Sequence, residues 1–198
     1  MLHFVKVSIT VYIFAMFVYS IWYYLQVLGV AIPGVTESWV GSLCYLPHGA
    51  RVLMFCYFRY YSIPALYLAE LSGPALINHD DYIGGWSIGA LGSMASVIIA
   101  VELIKWTRVS PGFFSFYKLV NFKNYKFVVL VIIISALLNG ILVNSIISLI
   151  NDNVTIDVLT VLRFIVGDIL GAIAVIVSLW FIFRTLVDTR LIISPEKD

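Results

Sequence analysis

Charge is what this chain of 198 residues has least of. Asp, Glu, Lys and Arg together make up 12% of it, against 62% hydrophobic residues. Soluble domains carry about 25% charged residues, so a water-soluble fold is excluded and an integral membrane protein is implied. Cysteine is nearly absent too. Cys44 and Cys56 lie twelve residues apart in apolar sequence without CxxC spacing, which excludes a disulfide framework or a metal knuckle. Both read as small apolar fillers. There is no Gly-rich phosphate loop, no HExxH, no paired histidines and no serine beside a placed base. A catalytic constellation needs such parts, so we expect no enzyme, and no cofactor or metal is implied. Without a basic tail, nucleic acid is not an expected partner either.

What the chain does have is long apolar runs. About 20 residues of helix cross the hydrocarbon core, and the sequence divides into six such runs. They are 4–28, 38–58, 63–77, 86–104, 127–150 and 158–183. The first is too long for a signal-peptide core and is followed by no small-x-small cleavage site, so it reads as a retained membrane helix. Cytoplasmic connections collect Lys and Arg. With six spans and both termini inside, ten of the twelve bases fall on the cytoplasmic side, and Arg51 and Arg163 lie within spans. Glu37, Asp80, Asp81, Asp152 and Asp157 fall on the opposite side with no base. A five-span reading, with residues 39–71 as one helix, strands Lys6 outside and needs a span longer than the usual ~17–25 residues. Trp22, Trp39, Trp86, Trp106 and Trp180 mark membrane interfaces, where flat rings with a polar tip are favoured. The expected fold is therefore all-α, a single polytopic bundle over residues 1–198.

Within the runs, polar groups are few and conspicuous: His48, Arg51, Glu70, Glu102, Asn139, Asn144, Arg163 and Asp168. A charge at mid-bilayer costs about 2.5–3.5 kcal/mol on insertion scales, so such groups turn inward and pair. Pro47 removes a backbone donor and Gly49 relieves crowding, which predicts a kink in the second helix near Pro47. Broken backbone at membrane depth survives only where protein or a cavity satisfies it. His48 and Arg51 are then expected to meet Glu70 and Asp168 in a polar centre. Asp168 is the preferred partner of Arg51, because Gly167 and Gly171 open room beside it. Three uses stay open: an interhelical pair that fixes packing, a binding or sensing site, and a proton or ion path.

Small residues form the other pattern. Gly85, Gly89, Gly92, Ser93 and Ser96 share three- and four-residue spacing on the fourth run, and Gly167, Gly171 and Ala174 do so on the sixth. Small-xxx-small faces let helices approach closely, so the fourth helix is expected against the sixth. The 105–126 connection holds five bases, Lys118, Lys123 and Lys126 among them, and no acid. It is expected along the anionic inner leaflet, where each base gains about 1 kcal/mol. Asn153 opens an N-x-T triplet, a short pattern of low information.

Three blocks together resemble a known family. "SLCYLPHGARVLMFCYFRYYSIPALYLAE" is similar to the Pro-x-Gly second helix, basic turn and Pro-containing third helix of the bacterial membrane-associated sensor domain family, first type. "RFIVGDILGAIAV" is similar to its Gly-Asp-x-x-Gly block, here Gly167, Asp168 and Gly171. The resemblance implies a multi-pass domain of a bacterial inner (plasma) membrane that feeds a signal to an output module. No output module follows in these residues, so the implied role is a non-enzymatic sensor-like or accessory subunit acting through another membrane protein. The alternative is a small-molecule-binding membrane component of a transporter.

Overall fold

The computed structural model describes residues 2–29, 42–77, 85–107, 125–151 and 156–189. These form six α-helices and no strand: α1 (Leu2–Val27), α2 (Leu46–Phe58), α3 (Ile63–Ile77), α4 (Trp86–Trp106), α5 (Tyr125–Ile150) and α6 (Val158–Asp188). Helix starts follow local chemistry. Pro64 stands in the first turn of α3, where a missing amide hydrogen costs nothing. The Asp157 carboxylate accepts from the Thr160 amide at 2.7 Å and caps α6.

Five stretches are long and apolar enough to cross a membrane: His3–Val27, Leu46–Gly73, Trp86–Trp106, Lys126–Ile150 and Val158–Asp188. The second of these is not straight. A 3-10 turn at Arg59–Ser62 separates α2 from α3, and Arg59 sits at φ 54°, a left-handed value that ends α2. Arg51 and Glu70 touch across this turn, whereas 19 residues of continuous helix would hold them about 28 Å apart. The stretch folds back as a helical hairpin.

Contacts along α1 measure how deep the hairpin reaches. At its turn, the Tyr61 ring lies 6.2 Å from the rings of His3 and Phe4. At its start, the Tyr45 ring lies 5.0 Å from that of Trp22. From Phe4 to Trp22 is about 27 Å of helix, close to the ~30 Å of a hydrocarbon core. Tyr60 at the turn donates to Glu102 near the end of α4 at 2.8 Å. The turn, the start of α1 and the end of α4 therefore share one end of the bundle.

Two sequence expectations are corrected. No kink lies inside α2. The helix begins at Leu46, with Pro47 in its first turn, because proline's fixed φ suits a helix start and its ring obstructs a helix interior. Residues 42–45 ahead of it are non-helical, so the second helix starts later than position 38. Nor does the small face of α4 meet α6. Gly89 and Gly92 pack on Ile147 and Ile146 of α5, and α6 packs on α2.

The surface is inverted relative to a soluble protein. Ile9, Ile13, Phe17, Ile133, Leu137, Leu170 and Ile173 are exposed, while His48, Arg51, Ser96, Asn139, Asn144 and Asp168 are buried. Apolar side chains face outward because the surrounding medium is hydrocarbon, and polar ones turn inward to find partners.

Candidate functional site

The non-helical stretch 42–45 lies against α6 at Gly167 and Gly171. A side-chain Cβ at Gly167 would overlap the Ser42 carbonyl, and one at Gly171 the Tyr45 carbonyl. The Tyr45 amide donates to the Gly167 carbonyl at 2.9 Å. Gly167 is about 14 Å along α6 from its start, so this is backbone at depth, and the two glycines let α6 receive it. Just beyond, a Cβ on Gly49 would come within 2.8 Å of the Ala172 Cα. The α2–α6 seam is thus a close backbone contact that carries His48 and Arg51 up to Asp168.

The four expected side chains converge. His48 is 0% exposed, Arg51 1%, Asp168 1% and Glu70 7%. The partner of Arg51 differs from the sequence expectation. Its Nε donates to Glu70 Oε1 at 3.1 Å, and its Nη2 donates to the same oxygen. Asp168 Oδ2 instead accepts from Asn139 Nδ2 at 2.7 Å and lies 3.5 Å from His48 Nδ1. The reason is spatial: the room beside Gly167 and Gly171 is filled by the 42–45 backbone and not by the guanidinium.

Two links join these pairs into one network. Arg51 Nη1 lies 3.4 Å from His48 Nδ1 and 3.5 Å from Asn139 Oδ1. On the far side of the ring, His48 Nε2 lies 3.1 Å from Ser135 Oγ, whose hydroxyl donates to the Ile132 carbonyl at 3.2 Å. The network therefore ties α2, α3, α5 and α6 at one level. Trp86 adds α4: its indole N–H donates to the Glu70 carbonyl at 2.9 Å. That carbonyl needs a donor from elsewhere because the residue four further on is Pro74, which has no amide hydrogen.

Sequence reading did not anticipate Ser135, Asn139 or Trp86 as part of the site. Asn139 stands out as a polar residue in an apolar run, and Ser135 is one turn before it on the same face of α5. Trp86 reads as an interface ring, but it is buried. The Glu70-x-x-x-Pro74 spacing is the signal that a donor is missing. Lys126 is exposed on the first turn of α5. Lys118, Lys123, Glu37 and Asn153 lie outside the described residues, as does most of the basic 105–126 connection.

No family model matches this chain, and neither curated proteins nor solved structures give a match.

Proposed function

We propose that this chain is a non-enzymatic, sensor-like or accessory subunit of a membrane, working through a partner membrane protein. In this reading it crosses the bilayer six times, with α2 and α3 as separate crossings and both termini on the base-rich, cytoplasmic side. The proposed setting is a bacterial inner (plasma) membrane, from the resemblance of the α2–α3 hairpin and the Gly167-Asp168-Ile169-Leu170-Gly171 block to the membrane-associated sensor domain family.

One observation carries the reading: each buried polar side chain of the network has at least one protein partner. Among the described residues the single buried side-chain nitrogen or oxygen without a partner is Ser8 Oγ, which is not part of it. A pocket for a polar small molecule presents donors and acceptors that the ligand completes. A closed network linking four helices instead sets how those helices sit against one another, and a change in that packing is something a neighbouring protein can read. A charged group inside a membrane is a functional-site candidate by default, and here its effect is on packing.

Gentle detergent extraction of the native protein, followed by mass spectrometry of the intact complex, tests the proposal. The expected result is a protein partner at fixed stoichiometry. A retained small molecule with no protein partner would favour the substrate-binding component of a transporter instead.

A further inference from the structure

We infer that the buried network is a binding site for one exchangeable proton, held on the line between Asp168 Oδ2 and His48 Nδ1. This goes beyond the reading above and does not depend on a partner protein. The first ground is charge balance. Arg51 supplies one positive charge, and Glu70 and Asp168 supply two negative ones, all nine-tenths or more buried. With His48 neutral, one negative charge is left over. An uncompensated charge away from water is strongly unfavourable, and one added proton removes it.

The second ground is donor arithmetic. Arg51 Nη1 can only donate, and it faces His48 Nδ1 at 3.4 Å, so Nδ1 is the acceptor and Nε2 carries the ring hydrogen toward Ser135 Oγ. In the neutral ring Nδ1 thus has no hydrogen of its own. It faces Asp168 Oδ2 at 3.5 Å, so two acceptors point at each other. A proton between them turns an unfavourable pair into a hydrogen bond, whether it sits on the carboxyl or on the ring. Arg51 Nη1, 3.4 Å from Nδ1, is also shared with Asn139 Oδ1. Glu70 is not the acceptor of this proton, since two guanidinium N–H groups already converge on one of its oxygens.

Among the described residues, no charge beyond Arg51 and Glu70 reaches the pair. From α5 it meets the uncharged Asn139 and Ser135, and α4 contributes the Trp86 indole on the far carbonyl of Glu70. Among the described residues, the phenols of Tyr45 and of Tyr19, on α1, are the remaining titratable groups within electrostatic range of the network. The proton lies at the close α2–α6 backbone contact: His48 precedes Gly49, and Asp168 is flanked by Gly167 and followed by Gly171. Losing it restores acceptor–acceptor repulsion across the α2–α6 seam, so proton occupancy and the seating of α2 are linked.

The test uses the purified protein in lipid nanodiscs, with proton itself as the ligand. If the folded chain holds one proton that the unfolded chain has released, the folding constant falls tenfold per pH unit. The fall begins near pH 6.5, where an unfolded histidine has given up its charge, and continues until the folded chain releases the proton. The thermal midpoint should drop over that window in the wild type and stay flat in Asp168→Asn, which balances the charges without a proton. A flat wild-type profile, or an unchanged slope in Asp168→Asn, overturns the inference. Should that variant fail to fold, magnetic resonance of wild-type protein carrying labelled aspartate and histidine reads the proton directly. A protonated Asp168 carboxyl or a His48 imidazolium at neutral pH supports the site, and a carboxylate beside a neutral ring refutes it. Sodium in place of potassium should leave the profile unchanged; a shift would assign the site to a metal cation instead.

Discussion

At Arg51 the question is what a fixed positive charge gains from burial. Two of its guanidinium nitrogens converge on one Glu70 oxygen, so removing either partner strands the other. Breaking a buried pair in this way costs about 3–5 kcal/mol, whereas replacing both partners with apolar groups can be nearly neutral. Arg51→Met and Glu70→Leu should each lower the thermal midpoint, and the double variant should recover much of the loss. An Arg51–Asp168 cycle should show weaker coupling, because Asp168 is held by Asn139. The Glu70 carbonyl makes a second case. Trp86→Phe leaves it without a donor, at a cost of about 1–3 kcal/mol. Adding Pro74→Ala returns an amide hydrogen at the right position, so the Trp86→Phe penalty should shrink in that background; an unchanged penalty would mean packing, not the hydrogen bond, is what Trp86 supplies. Much of this centre is legible in the sequence, since His48, Arg51, Glu70 and Asp168 are isolated polar groups in apolar runs. Their pairing is not, because a sequence places a residue in depth but not in rotation about the bundle. Arg51 could reach the level of either carboxylate, and the occupied space beside Gly167 decided between them.

At the scale of elements, glycine does two different jobs here. On α6, Gly167 and Gly171 receive main-chain carbonyls of residues 42–45, and backbone cannot swing aside as a side chain can. On α4, a Cβ at Gly89 would sit 3.3 Å from the Ile147 Cδ1, the far end of a flexible side chain. Gly167→Ala and Gly171→Ala should therefore destabilise by at least the ~1–3 kcal/mol of an overpacked core. Gly89→Ala should be neutral or slightly stabilising, because alanine gains about 1 kcal/mol over glycine in a helix. Equal losses at all three positions, read as thermal midpoints, would contradict this distinction. Helix bounds were readable wherever punctuation was strong. The expected third run, 63–77, coincides with α3, where Ser62 and Pro64 mark the start. The second was misjudged because Ser38 to Tyr45 looks as apolar as the helix that follows. Nothing in that run signals that its last residues lie, non-helical, on the glycines of another helix. The partner of α4 was misjudged for a related reason: a small-residue face says that some helix comes close, and not which one.

For the whole molecule, the fold-back of Leu46–Gly73 is what supports the proposed topology. As one straight span it would put the 78–84 connection on the same side as the start of α1. As a hairpin about as deep as α1, it ends at the opposite side and brings its turn level with His3 and Glu102. In the proposed topology the bases of the sequence fall on one side, as the positive-inside rule expects. The topology we propose is then six crossings with a cytoplasmic hairpin turn. Single cysteines introduced at Tyr60, Asp81 and Lys118, in a chain with Cys44 and Cys56 replaced by Ala, test it most directly with a membrane-impermeant thiol reagent on intact cells. Position 81 should label from outside, and positions 60 and 118 only after permeabilisation. Labelling of 118 from outside, protection of 81 until the membrane is opened, or a position 60 that stays unreactive on both sides would contradict it.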